Sequence, residues 1–349
     1  MNILIATDAW HPQINGVVRT LDTTARTLRA FGHAVRVVSP DDFAKLPNPL
    51  YPEIPLALPW PHRVDTLVRQ FRPDCVHIAT EGPIGHMVRR HCRTRGWNFS
   101  TSYHTKFPED LRALAGVPER WGYRVLRWFH NGASSVMVST PSLEFELRSR
   151  GFTAPLRRWS RGVDLKLFQP RPKGPSPFSR PILLSVGRVS AEKGLEDFLK
   201  LNRPGTKIVV GDGPAKDELS HRYPDVKFLG YREGPALAAE YAAADLFVFP
   251  SRTDTFGIVM IEAMACGLPV AAYPVTGPID IVTRPELGAI DDDLTKAVER
   301  ALHSGVPPAC AEAAAQYTWE SCTEQFLSNL VPVKSRRPGR LFSPDSHFG

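Results

Sequence analysis

Short apolar runs of four or five residues recur along the chain, each separated from the next by a longer segment with helical spacing. Ile3-Leu4-Ile5-Ala6 comes first, followed by a loop holding Pro12 and Gly16 and a helical pattern over 17–31 that stops at Gly32-His33. Ala34-Val35-Arg36-Val37-Val38 follows, so this stretch reads as a βαβ unit and the start of a parallel sheet. A proline-rich interruption covers 47–61. Strand patterns then return at 75–78, 99–103 and 135–138, and the first domain reads as doubly wound.

Residues 170–181 hold Pro172, Gly174, Pro175 and Pro177 with little apolar content, which is the composition of a linker. The alternation restarts beyond it, with strands at 182–186, 207–210, 226–229, 246–249 and 269–272. The pattern therefore predicts one α/β domain over 1–169, a second over 170–330, and a basic tail over 331–349 that lacks periodicity from Lys334 and reads as disordered. Two such domains offer a ligand cleft where the carboxyl ends of their strands face each other.

A length of 349 residues suits two domains, and 42% apolar with 23% charged residues excludes fibrous and disordered classes. Five cysteines without a CxxC pair argue against a disulfide framework and a zinc site, and fit a reducing cytoplasm. No basic-then-apolar export signal opens the chain, and no uncharged apolar run approaches the ~18 residues of a spanning helix. The charge is uneven: residues 1–170 carry 23 Lys+Arg against 14 Asp+Glu, leaving 20 against 22 for the rest. A basic first half suits an anionic membrane face, an acidic ligand or nucleic acid, or is plain solvated surface charge. No RNA-binding signature accompanies it, so nucleic acid is not expected.

The strand at 246–249 runs through Pro250-Ser251-Arg252-Thr253-Asp254-Thr255-Phe256-Gly257 into a helical pattern over 258–265. Gly257 thus sits near a helix N-terminus, where partial positive charge favours a phosphate. Glu262 lies on that helix, where a carboxylate can accept two hydrogen bonds from a vicinal diol such as ribose; alone, it reads as a solvent-facing glutamate. After another strand, Arg188 and Lys193 lie five residues apart on a turn and can converge on a diphosphate, stabilising it most as it leaves with added charge.

The segment Asp254-Thr255-Phe256-Gly257-Ile258-Val259-Met260-Ile261-Glu262, with Ala263-Met264-Ala265-Cys266-Gly267-Leu268-Pro269-Val270 after it, resembles the D/E-x7-E signature of the retaining GT-B glycosyltransferases of family 4. Many relatives carry Glu where this chain has Asp254. The resemblance implies two Rossmann-like doubly wound domains facing a central cleft, with the last helix, around 310–330, packing back toward the first domain. It implies that Asp254 bonds donor-sugar hydroxyls, that the Phe256, Gly257 and Ile258 amides and neighbouring Thr255 approach the sugar and phosphates, and that Glu262 holds the ribose. Arg188 and Lys193 would bind the diphosphate, and the turn Gly211-Asp212-Gly213-Pro214 would lie near the nucleoside. In the first domain, Pro12-Gln13-Ile14-Asn15-Gly16-Val17-Val18 resembles the family's glycine loop, with Gly16 against the phosphates, and His104 would bond the donor sugar. The resemblance further implies a nucleoside-diphosphate sugar as substrate, no cofactor and, as is usual in the family, no metal.

The acceptor is read less directly. Trp121, Val125, Trp128 and Phe129 fall on one side of a helix over 119–130, with Arg120, Arg124 and Arg127 on the other. Such a helix can lie in a membrane interface or pack on the core. Segments around Glu81, Tyr103-His104-Thr105-Lys106 and Arg161-Gly162-Val163-Asp164 resemble bacterial members that glycosylate lipids, including diacylglycerol glucosyl- and glucuronosyltransferases, and GDP-mannose-dependent mannosyltransferases. The expectation is hexose transfer from a nucleotide-sugar donor to a lipid such as diacylglycerol at an anionic membrane surface, by a peripheral protein on the cytoplasmic face. Thr105, Lys106, Trp121, Arg124 and Trp128 are the acceptor-side candidates. A sugar-nucleotide epimerase and a silent binding protein of the same fold are the alternatives.

Overall fold

The computed structural model describes residues 1–13, 15–47 and 56–333. Disorder of 334–349, the glycine-loop residue Ile14 and residues 48–55 of the proline-rich interruption lie outside the described residues.

The first domain holds β1 (Asn2–Ala6), β2 (Ala34–Val38), β3 (Ala44–Leu46), β4 (Leu56–Leu58), β5 (Cys75–Ile78), β6 (Ser100–Ser102), β7 (Ser135–Val138) and β8 (Leu156–Arg158). Six of these form a parallel sheet in the order β2-β1-β5-β6-β7-β8, while β3 and β4 form a separate antiparallel pair. The second domain repeats the plan with β9 (Ile182–Val186), β10 (Thr206–Val210), β11 (Lys227–Phe228), β12 (Leu246–Phe249), β13 (Val270–Ala272) and β14 (Gly288–Ile290), ordered β11-β10-β9-β12-β13-β14. These are two doubly wound α/β domains.

Both faces of each sheet are covered, which is why the strands read as unbroken apolar runs. Leu4 and Ala6 enter one core with Val76, Ile78 and Phe99, while Ile3 and Ile5 enter the opposite one with Leu21, Met137 and Trp159. Leu183, Val209 and Val248 likewise face away from Leu184, Val210 and Phe249. The edge strands β8 and β14 and the β3–β4 pair are each only three residues long, too short to stand out in the sequence.

Packing moves three boundaries. Val163 and Phe168 are buried in the second domain's core, so the chain crosses over before the proline-rich 170–181 segment. The predicted last helix is two: Pro307–Ala314 stays with the second core through Cys310 and Ala314, whereas Trp319–Asn329 lays Trp319, Cys322 and Phe326 against Trp159 of the first. Residues 331–333, assigned to the irregular tail, dock on the first domain. Val333 N–H donates to the Asp74 carbonyl (2.9 Å), and the Val333 carbonyl accepts from Asn98 N–H (2.9 Å).

In each sheet the strand order reverses beside the first strand, between β1 and β5 and between β9 and β12, and the loops leaving those carboxyl ends face the cleft. Asp8 leaves β1 at one such point and caps the helix Pro83–Thr94. Its carboxylate accepts from Ile84 N–H (2.8 Å), Gly85 N–H (3.2 Å) and the Thr80 hydroxyl (2.9 Å). Burial, against those hydrogen bonds, pushes Asp8 up from 3.8 to about 6. The unfolded chain then releases this proton at lower pH than the native one, so the group's contribution to stability falls as pH rises from 4 to 6. Asp8→Asn is expected to lose a step of about 2 kcal/mol over that window in urea melts compared with wild type; superimposable pH profiles would exclude Asp8 as its source.

Candidate active site

Strand β12 is fully buried and delivers residues 250–257 to the cleft, after which the helix Ile258–Ala265 begins. Gly257 has φ 85°, and a side chain there would put Cβ 2.7 Å from Met260 Cε, so glycine is needed to turn the chain into the helix. Met260 to Ala265 are all buried. Glu262 therefore does not face solvent, as the residue alone would suggest; its side chain is wholly buried. The Tyr241 hydroxyl donates to Glu262 Oε2 (3.0 Å), and the Arg19 guanidinium reaches from the first domain to pair with Oε1. Burial raises the Glu262 carboxyl above its usual range, opposed by Arg19 and Tyr241.

Asp254 and Lys193 come together: Nζ lies 2.8 Å from Oδ1. Burial acts to raise Asp254, but the charge and hydrogen bond of Lys193, together with Ser251 and the charge of Lys106, hold the carboxyl below its ordinary value. Arg188 and Lys193 are both half-buried on the loop that follows β9. That loop is braced by the Gly211-Asp212-Gly213 turn, with Val189 N–H donating to the Asp212 carbonyl (2.9 Å). A Cβ on Gly211 would lie 1.8 Å from the Gly187 carbonyl oxygen and one on Gly213 2.4 Å from that of Val189. Close backbone packing against the Arg188 loop thus accounts for these glycines.

The first domain meets this segment directly. Asn15 caps the helix Gly16–Ala30 by accepting from Val17 and Val18 N–H (3.0 Å each), and Gly16 faces Ile258 across the cleft, where an added Cβ would be 3.7 Å from Ile258 Cδ1. The Thr255 hydroxyl donates to the His104 carbonyl (2.6 Å), and the Ser139 hydroxyl donates to the Thr255 carbonyl (2.7 Å). Phe256 is buried beneath the joint, edge-on to Tyr317. His104 has protein partners at both ring nitrogens, Ser102 Oγ at Nε2 (2.8 Å) and Arg161 at Nδ1 (3.0 Å).

The acceptor-side candidates divide. Thr105 is exposed. Lys106, read as facing an acceptor, is 8% exposed and ties the domains instead, with Nζ 2.8 Å from Glu146 Oε2 and 3.2 Å from the Thr276 hydroxyl. A buried ammonium needs such partners. The helix Glu119–His130 also corrects the sequence pattern. Tyr123, Leu126, Phe129 and His130 form its buried face, while Trp121, Val125 and Trp128 share the solvent face with Arg120 and Arg124. Aromatic and basic residues stand together there, not on opposite sides, and only Phe129 of the predicted apolar group is buried.

Sequence reasoning missed Arg19, Asp8 and Arg161. Arg19 lies one turn into a helix with no motif around it, and only its contact with Glu262 marks it. Asp8 directly follows the first strand, which was a usable signal. The buried Arg161 stands in a segment quoted only for its resemblance.

Two facing doubly wound domains with the cleft at their strands' carboxyl ends make this the GT-B glycosyltransferase fold. Residues 14–167 match the family model described as Glycosyltransferase Family 4 and residues 180–304 the one described as Glycosyl transferases group 1, and the chain belongs to this glycosyltransferase family. It is 28% identical to a GDP-mannose-dependent alpha-mannosyltransferase of Corynebacterium glutamicum, covering 99% of this chain and 93% of the relative. An alpha-monoglucosyldiacylglycerol synthase of Streptococcus pneumoniae is 23% identical, over 86% and 78%. The solved sucrose-phosphate synthase of Thermosynechococcus elongatus shares the fold with a TM-score of 0.75 at 21% identity, over 93% and 97%.

Removing Arg19 leaves the buried Glu262 without its cation. Because Arg19 is itself 37% exposed and Glu262 can take up a proton, Arg19→Met is expected to cost about 1–2 kcal/mol. The loss should be larger at pH 8 than at pH 5 and should be relieved by adding Glu262→Gln; a pH-independent loss that Glu262→Gln does not relieve would show that the pair contributes little.

Proposed function

We propose that the chain transfers a hexose from a nucleoside diphosphate to the hydroxyl of a membrane lipid such as diacylglycerol, at an anionic surface and with retention of anomeric configuration. The lipid half of this reading is carried by one observation: Trp121 and Trp128, 55% and 58% exposed, stand beside exposed Arg120 and Arg124 on one helix face. Indole rings with adjacent guanidinium groups suit a headgroup layer better than bulk water. The helix is tied to the segment leaving His104, since the Tyr123 hydroxyl donates to Glu109 (2.6 Å). The diacylglycerol-glycosylating relative adds support. No helix among the described residues is long and apolar enough to cross a membrane, and the proposal is peripheral attachment to the inner face of the plasma membrane.

In this reading Glu262 receives the ribose and Asp254 the sugar hydroxyls, while Arg188, Lys193 and the start of the helix Ile258–Ala265 stabilise the departing diphosphate without a metal. Displacement on the sugar's front face, assisted by that leaving group, needs no protein nucleophile. The corynebacterial relative favours GDP-mannose as donor, with UDP-glucose and UDP-glucuronate as the other candidates; it also supports a second reading, mannosyl transfer to another lipid or glycan.

Purified protein with each radiolabelled donor over vesicles containing diacylglycerol and anionic phospholipid is expected to place label in the organic extract with one donor. Label only on soluble sugar, or none in lipid from any donor, would overturn the lipid assignment. Trp121→Ala with Trp128→Ala is expected to weaken sedimentation with the same vesicles at least tenfold, about 1.4 kcal/mol or more. Undiminished sedimentation would separate this helix face from the membrane.

A further inference from the structure

Arg161 is 4% exposed, at the inner end of the cleft, and no carboxylate forms an ion pair with it among the described residues. Its guanidinium donates to the carbonyls of Trp159 (2.8 Å) and Ser160 (2.9 Å) and to His104 Nδ1 (3.0 Å), and lies 4.9 Å from the centre of the Trp159 ring. A guanidinium only donates. Nδ1 of His104 must therefore offer a lone pair, and the single proton of a neutral imidazole must sit on Nε2. That nitrogen then donates to Ser102 Oγ (2.8 Å).

The surrounding hydrogen bonds close consistently on this arrangement. Ser102 passes its own proton to the Ala79 carbonyl (3.3 Å), leaving its oxygen to accept from both His104 Nε2 and His77 Nε2 (3.1 Å). The Ser100 hydroxyl, which also lies 3.4 Å from the Val76 carbonyl, then gives its one proton to His77 Nδ1 at the shorter distance (3.0 Å). An imidazolium at His104 would set an Nδ1 proton against the guanidinium protons, so the same contact also disfavours protonation. Burial first, then the positive charge of Arg161, holds His104 well below the ordinary imidazole value.

We propose that Arg161 is a positioning residue for glycosyl transfer, fixing His104 as the neutral Nε2–H tautomer with its ring and carbonyl held at the Thr255 joint. The functional part rests on the reading that His104 meets the donor sugar; the tautomer does not. With Nε2–H spent on Ser102 and Nδ1 on Arg161, His104 presents a fixed, uncharged surface to the cleft and does not serve as a base. Arg161 itself acts only through His104.

The test is nitrogen-15 NMR of the full chain carrying labelled histidine, with His104→Gln used to assign the His104 signals. Wild type is expected to show the Nε2–H tautomer, Arg161→Met a mixture of tautomers, and Arg161→Lys, which keeps a donor, a return to Nε2–H. In transfer assays, Arg161→Met should lower kcat by roughly tenfold or more with donor KM little changed, as expected for a misplaced group, and Arg161→Lys should recover most of it. An Nδ1–H or doubly protonated His104 in the wild type would overturn the proposal, and this readout stands even where Arg161→Met does not fold. An Arg161→Met protein with an unaltered tautomer would reduce Arg161 to a packing role. Correct tautomers without the kcat effect would refute only the part that rests on His104 at the donor.

Discussion

Thr255 is where the two domains hold each other. Its hydroxyl grips the His104 carbonyl behind β6, and its own carbonyl is gripped by Ser139 behind β7, so one residue of the second domain is fixed to two strand ends of the first. Asp254 and Phe256 flank it on the chain. The same two contacts that join the domains therefore set where the Asp254 carboxylate stands relative to His104. Other polar ties flank the joint, Lys106 with Glu146 and Thr276 on one side and Arg19 with Glu262 on the other.

The cleft gathers charges that would be costly if left alone in a buried place, and each has a specific partner. Glu262 takes Arg19 and Tyr241, Asp254 takes Lys193, Lys106 takes Glu146, and Arg161 is satisfied by carbonyls and an imidazole. Pairs of this kind give little net stability, because desolvation offsets most of the attraction, yet breaking one partner away is expensive. They suit a site in which a charged, hydroxyl-rich ligand exchanges for an existing partner. The lipid-facing reading draws on the opposite circumstance, large indole rings left in water with basic neighbours.

Much of the fold was legible because a parallel sheet covered on both faces writes itself as apolar runs of four or five residues. The runs at 34–38, 182–186 and 246–249 coincide with β2, β9 and β12, and the helix at 258–265 was also placed correctly. The strands β8 and β14 were not legible, since each is three residues long with at most two apolar side chains, too short to stand out as a run. In the site, Asp254, Lys193 and Glu262 were found by motif. The partnership of Lys193 with Asp254, and Arg19 as the partner of Glu262, were not, because contacts across 61 and 243 positions leave no local periodicity.

The sequence by itself determined two α/β domains, a glycosyltransferase cleft and the segment 254–262 that lines it, because periodicity and turn chemistry are local properties. Only the tertiary structure decided which way the helix Glu119–His130 faces, since its buried side is chosen by the neighbours that cover Tyr123, Leu126 and Phe129 and not by its aromatic content. It alone also decided that Lys106 is a tie, that Glu262 is buried and paired, and that Arg161 governs the proton on His104. Those outcomes depend on desolvation and on donors meeting acceptors, and both exist only once distant parts of the chain are packed together.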